Sequence, residues 1–182
     1  MPTPAFDRWT VCRTPNPAAR LRLFCFAHAG GGPALFRNWA DALPADVEVR
    51  PVLLPGREVR LADPMPARLD ALVAQLDDAL SPGLDRPYAV FGVSLGAVLG
   101  YEWARAAWAR TGRPPVHLFA AARPAPQFGG GGGARMSALS DREFVAELTR
   151  RWNGIPAAVL NDPGLLDYFL PILRADVAVL EG

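Results

Sequence analysis

Five residues, Gly92-Val93-Ser94-Leu95-Gly96, carry the most specific chemical signal in the sequence. They have the G-x-S-x-G form of a nucleophile elbow, a turn between a strand and a helix so sharp that the residues two before and two after the serine must be very small. Gly92 and Gly96 meet that need. A helix opening at Ser94 would aim its free amides and the positive end of its dipole at the serine oxygen, stabilising the charge that develops as it attacks an acyl carbon. The same residues would also suit a plain strand-to-helix turn with Ser94 as its N-cap. The apolar strand expected before Ser94 and the long helix expected after it favour the elbow.

Attack on an acyl group needs two N–H donors facing the oxyanion, usually the amide after the nucleophile and one from the loop behind an early strand. Leu95 supplies the first. His28-Ala29-Gly30-Gly31 follows the apolar run Leu21 to Ala27, and its glycines let amides turn inward with no side chain in the way, so Ala29 is the expected second donor. The serine proton needs an acceptor, and the sequence holds two histidines. His117 opens a strand over Val116 to Ala122, ~15 Å or more from the carboxyl ends of the strands at about 3.3 Å per residue, and reads as structural. His28 stands at the correct end of its strand but precedes the serine, whereas the fold that carries this elbow orders its triad as Ser, then Asp or Glu, then His. It is expected to line the pocket. Asp141, Asp162, Asp167 and Asp176 read as solvated helix ends rather than as partners for a histidine.

The elements that would position these groups alternate. Leu21 to Ala27 is a buried strand, Ala34 to Leu43 a helix with Leu35, Trp39 and Leu43 on one face, and Val47 to Leu54 a second strand stopped by Pro55-Gly56. Leu69, Leu72, Val73, Leu76 and Leu80 recur at helical spacing over Arg68 to Leu80. Pro87 to Phe91 is the strand before the elbow, Ser94 to Arg110 a helix apolar over much of its circumference, and Val116 to Ala122 the next strand. Such alternation builds a mainly parallel sheet with helices on both faces, an α/β fold. Beyond Arg123 the pattern changes: Gly129 to Gly133 read as a linker, followed by amphipathic helices near Asp141 to Trp152 and Pro163 to Leu180 that suit either a lid over the site or a cover for the sheet. One domain is expected over 1–182, with its core at 20–123 and the lid-like part at 124–182.

Composition narrows the partners. Nineteen basic against 18 acidic side chains leave a formal charge of +1, so no field of one sign is available to hold nucleic acid or an anionic membrane. Cys12 and Cys25 lack metal-ligand spacing, and Cys25 reads as a buried free thiol. Met1 to Arg20 has no apolar stretch of signal-peptide or membrane-span character, which points to a cytoplasmic protein.

Phe26-Ala27-His28-Ala29-Gly30-Gly31, Leu54-Pro55-Gly56-Arg57 and Phe91 to Ala97, in this order and spacing, resemble the type II thioesterases that accompany polyketide synthases and nonribosomal peptide synthetases. The likeness continues through Leu118 to Pro126, Leu139 to Asp141 and Leu170 to Glu181. It implies an α/β-hydrolase fold with a helical lid and a serine hydrolase that removes stalled or wrong acyl groups from the phosphopantetheine thioester of acyl or peptidyl carrier proteins. No cofactor of its own is implied, since the substrate carries the phosphopantetheine. The family usually has proline at Ala27 and histidine at Val93, positions that perform no catalytic step. Its triad acid and histidine lie beyond the lid, on strands that would follow Glu181. The sequence ends at Gly182, so the expectation is an incomplete domain without its last strands, with an apolar strand edge and feeble turnover. Loss of a triad serine or histidine costs on the order of 10⁶ in rate, with a residual ~10³ over water from oxyanion hole and binding. Two other readings stay open: a carrier-binding pseudoenzyme, and a carboxylesterase or acyltransferase on the same fold.

Overall fold

In the computed structural model the described residues are 4–125, 135–152 and 155–182. Four parallel strands, β1 (Leu21–Phe26), β2 (Val47–Pro51), β3 (Tyr88–Val93) and β4 (His117–Ala121), lie in the order β2-β1-β3-β4. The chain leaves β1 toward β2 and then crosses back over β1 to reach β3. The loops after β1 and β3 therefore diverge from one another at the carboxyl ends of two neighbouring strands, which is where open α/β sheets hold their ligands. Phe26 lies opposite Gly92 in the β1–β3 register, so His28 and Ser94 both stand two residues beyond the same rung.

Alternation along the strands sends side chains to two cores. Phe24, Phe26, Tyr88 and Val90 face one side, where they pack with Phe6 and Trp9 of α1 (Pro4–Trp9), a helix not expected from the sequence pattern. Leu23, Cys25, Val49 and Ala89 face the other, under Phe36, Trp39 and Leu43. The helix expected over Ala34 to Leu43 is in fact a 3-10 turn at Pro33–Phe36 and a short α2 (Trp39–Ala42), parted at Asn38. The tighter turn advances each residue further around the axis than an α-helix does, so Phe36 takes the inward place and Leu35 is left 47% exposed. β2 stops at Pro51 rather than at Leu54: Val52 N still donates to Cys25 O of β1 at 2.8 Å, but from there the chain pairs with Thr10 and Trp9 of the N-terminal segment instead.

The first face is closed by α3 (Leu69–Leu80), through Leu72, Leu76 and Leu80, and by α4 (Leu95–Thr111). On α4 the early turns are buried almost all round, with Trp103 between Phe24 and Tyr88 at ring distances of 4.8 and 5.7 Å, while the last turns emerge and Trp108 is exposed. Beyond the sheet, α5 (Asp141–Trp152), α6 (Ala157–Leu160) and α7 (Pro163–Glu181) gather Phe144, Leu148, Ile155, Leu170, Leu173 and Val177 into a third cluster. Ala29 touches both this cluster and the main one, and Val179 near the end of α7 belongs to the main core. The helical part is thus packed directly on the loop after β1. The glycine run expected as a linker falls outside the described residues.

The two edges of the sheet differ. Beside β2 the N-terminal segment adds an antiparallel bridge from Thr10 to Val52, with Val11 N donating to Pro51 O at 2.9 Å and Leu53 N to Trp9 O at 2.8 Å. At β4 the side chains lie open, with Phe119 49% exposed and Val116 60%, the apolar edge that the sequence led one to expect.

Candidate active site

Ser94 joins β3 to α4 with φ 56° and ψ −112°, a backbone conformation that a side-chain-bearing residue adopts only where surrounding structure enforces it. The enforcement is steric. A Cβ on Gly92 would strike the carbonyl oxygen of Gly96 and lie 2.6 Å from Ala97 N; one on Gly96 would strike the Phe26 carbonyl oxygen and lie 2.6 Å from that of Ala27. The two glycines are what allow α4 to start this close to both β3 and β1. Ser94 N donates to Ala121 O of β4 at 2.9 Å, which pins the turn from the other side. An N-cap serine has extended backbone and a side-chain oxygen bonded to the helix's first amides; Ser94 has neither that conformation nor such a bond. The elbow, not the cap, describes this residue.

Among the described residues Ser94 Oγ has no hydrogen-bond partner, while the Leu95 amide, at the first position of α4, has no helical acceptor four residues behind it. The facing loop is a β-turn: Gly31 N donates to His28 O at 2.9 Å, and Gly30 has φ +75°, the positive value required at the third position of a type II turn. With the His28 carbonyl directed into the turn, the N–H of Ala29 on the same trans peptide points the opposite way, out of it.

His28 is exposed, and its Nδ1 meets the Ala29 carbonyl oxygen at 2.9 Å. A carbonyl only accepts, so the Nδ1 proton is committed to the loop. His117 pairs with Ala89 at the start of β4, four residues before the rung of Ala121 that meets the elbow, and its ring stacks on Phe119 at 4.3 Å. That is roughly 13 Å from the elbow at 3.3 Å per residue. Among the described residues neither histidine is hydrogen-bonded to Ser94.

The aspartates divide. Asp162 caps α7 by accepting from Gly164 N at 2.9 Å and Leu165 N at 3.1 Å, and Asp141, at the start of α5, pairs with Arg174 at the surface, both helix-end groups as expected; Asp167 is solvated as expected but lies within α7, beyond its first turn. Asp176 corrects that reading. It is 0% exposed, bonded to Arg57 through Nη2–Oδ1 at 2.6 Å and Nη1–Oδ2 at 3.1 Å, and accepts from Gly30 N at 2.7 Å. A signal was present: Asp176 sits inside the apolar stripe of Leu173, Val177 and Leu180, and a carboxylate in such a stripe is buried only when paired. Cys25 matches its expectation, since burial pushes its thiol well above the ordinary range, and an inert core residue follows. Among the described residues no His, Cys, Asp and Glu side chains group as metal ligands do.

A strand, a strained serine and a helix at the carboxyl switch point of a parallel sheet, faced by a glycine turn from the neighbouring strand, define the α/β-hydrolase class. Residues 21–182 match the thioesterase domain model, and the chain belongs to the thioesterase family. It is 38% identical over 175 residues to the gramicidin S biosynthesis protein GrsT of Aneurinibacillus migulanus, covering 95% of this chain and 67% of that one. The type II thioesterase BorB from the borrelidin biosynthetic cluster superposes with a TM-score of 0.78 at 34% identity, covering 95% and 67%. The thioesterase RedJ from the prodiginine pathway of Streptomyces coelicolor gives 0.78 at 39%, covering 90% and 64%. The chain spans about two thirds of the length of these relatives.

Proposed function

We propose that the chain is an editing thioesterase that hydrolyses acyl groups from the phosphopantetheine thioester of acyl or peptidyl carrier proteins, working in the cytoplasm beside a polyketide or nonribosomal peptide synthase. The single observation that carries this reading is the strained Ser94 backbone at the switch point; it is supported by similar proteins that are named for NRPS/PKS pathways. Ser94 Oγ is the nucleophile: its bond to the acyl carbon forms, the carbonyl electrons move to oxygen, and the amides of Ala29 and Leu95 face that oxyanion. Collapse breaks the C–S bond and releases the pantetheine thiolate, which takes up a proton; water then hydrolyses the acyl-serine. His28 borders the pocket and is not assigned the base. The phosphopantetheine comes with the substrate, and no cofactor is assigned.

Because the described residues offer Ser94 Oγ no acceptor, residues 1–182 taken by themselves are expected to pass that proton to solvent and to turn over on the order of 10⁶-fold more slowly than a complete triad enzyme. A second reading is a carrier-binding protein without turnover. Incubating the polypeptide and its Ser94→Ala variant with an acyl-carrier thioester and with a simple ester separates these. Slow release from the thioester, faster than from the ester and abolished in Ser94→Ala, supports the thioesterase. Equal carrier affinity in both forms with no hydrolysis by either supports the binding protein, and a preference for the ester points to a carboxylesterase.

A further inference from the structure

Two charged side chains lie beside the loop after β1 with no part in the chemistry above. Asp176, on α7, and Arg57, in the loop after β2, are almost fully buried, at 0% and 5% side-chain exposure, and meet in a two-pronged pair. What surrounds the pair is the turn. Gly30 N donates to Asp176 Oδ2 at 2.7 Å, and Arg57 Nη1 donates to Gly31 O at 2.8 Å while its Nε reaches back to Pro55 O at 3.3 Å. The pair therefore grips one N–H and one C=O of two successive glycines, residues whose backbone is otherwise the least constrained in any protein.

The grip has a direction. A type II turn differs from type I by rotation of its central peptide, here the one joining Ala29 to Gly30. Asp176 holds that peptide with its N–H toward the carboxylate, and the Ala29 oxygen consequently faces the other way, where His28 Nδ1 meets it. The type I alternative would turn the Ala29 oxygen onto the carboxylate, two acceptors face to face. Leu173, one turn before Asp176, closes the remaining space: a Cβ on Gly30 would lie 2.7 Å from its Cδ2.

We propose that Asp176 and Arg57 are positioning residues for the oxyanion donor, anchoring the His28–Gly31 turn at Gly30 N and Gly31 O so that the loop carrying the Ala29 N–H keeps its place at the carboxyl end of β1. This rests on the assignment of Ser94 and Ala29 made above. It makes the docking of α7 and the assembly of the oxyanion hole one event, so that the helical part acts on the chemistry by placing the donor loop rather than by contact with the acyl group.

Phosphonylation by a fluorophosphonate reads this directly, since the Ser94 Oγ–P bond forms and the P–F bond breaks, fluoride leaving and the Oγ proton passing to solvent, while negative charge develops on the phosphoryl oxygen. The informative variant replaces both charges, Arg57→Leu with Asp176→Leu, because a buried ion pair exchanged for apolar residues commonly leaves stability intact, whereas a single replacement strands a charge. The double variant is expected to melt near the wild type yet to phosphonylate Ser94 on the order of 10²-fold more slowly at saturating reagent, with the half-saturating concentration little changed, as when one oxyanion donor is lost. Val177→Ala, which loosens α7 without touching the turn, is expected to lower the melting temperature and leave that rate alone. A folded double variant that reacts at the wild-type rate, or a Val177→Ala that slows equally, overturns the positioning role. Wild-type protein that reacts no faster than Ser94→Ala overturns the nucleophile assignment itself, and the inference with it.

Discussion

The elbow and the α7 latch reach the same end of the sheet by opposite means. Around Ser94 the geometry is fixed by backbone against backbone: Gly92, Gly96 and the Phe26 carbonyl stand too close for a single added carbon, and nothing there can be screened or titrated. Around Gly30 it is fixed by side chains 119 residues apart in sequence, Arg57 and Asp176, through charge-assisted hydrogen bonds. One half of the site is thus part of the sheet's own packing, while the other depends on a helix brought in from elsewhere. The turn at Ser94 should survive changes that undo the turn at Gly30, and the reverse should not hold.

The comparison is broken most severely at Gly96. Gly96→Ala must move α4 away from β1, and a loss of about 4 kcal/mol or more is expected in urea unfolding, at the exceptional end for one substitution. Gly112→Ala is the control: its φ is +70° but nothing lies within 4 Å of the added carbon, so only the left-handed conformation costs, about 1 kcal/mol. Equal losses at the two glycines would remove the claim that close approach defines the elbow. On the other half, Arg57→Ala leaves Asp176 buried and unpaired, for an expected loss of about 3–5 kcal/mol. Adding Asp176→Leu to it should restore most of that, and failure to do so would mean the latch is held by shape rather than charge.

What the sequence disclosed follows the same division. Strands and long helices were legible because period and apolar content are local properties, and the elbow because G-x-S-x-G records a steric demand in adjacent residues. α1 was not legible: six residues with two aromatics carry no period, and only the tertiary contacts of Phe6 and Trp9 make the helix worth forming. The helix expected over Ala34 to Leu43 failed because apolar residues at 35, 39 and 43 suit an α-helical face equally well, and the choice of Phe36 over Leu35 is made by the second core, under β1 and Phe91, at ring distances of 5.9 Å from Phe36 and 4.8 Å from Trp39. Asp176 was misjudged because its partners, Arg57 and Gly30, are distant in the chain; the four-residue spacing showed the stripe but not what lay across from it.

Charge also enters the sheet half at one place, which sharpens the contrast. Glu48 on β2 is buried beside Arg22 and Arg50, with Arg22 Nε at 2.7 Å and Arg50 Nε at 3.1 Å. Burial pushes its carboxyl up, but hydrogen bonds from Arg50, Arg22 and the Asn16 amide outweigh this and leave it below its ordinary 4.5. A folded-state value below the unfolded one means that the contribution is fully present above about pH 4.5 and is lost as pH falls through the lowered folded value. Urea midpoints measured from pH 6 downward should fall on the acid side, and Glu48→Gln should flatten that fall while lowering the plateau. An unchanged acid limb in the variant would assign the loss to other carboxylates.

The smallest effect expected is at the start of α7. Asp162 accepts from Gly164 N and Leu165 N, satisfying two of the amides that a helix leaves open at its beginning, and Asp162→Ala should cost about 1 kcal/mol. The value of the change lies in where the loss shows. Asp162 is exposed and far along the helix from Asp176, 14 positions away in sequence, or about 21 Å at 1.5 Å per residue. If α7 holds the oxyanion turn only through its last two turns, amide exchange should quicken at Leu165 and Leu166 while Gly30 keeps its protection. Matching loss of protection at Gly30 would show instead that the whole helix docks as one unit, and that the distinction between a rigid elbow and a latched turn has to be drawn at the helical part as a whole rather than at the Arg57–Asp176 pair.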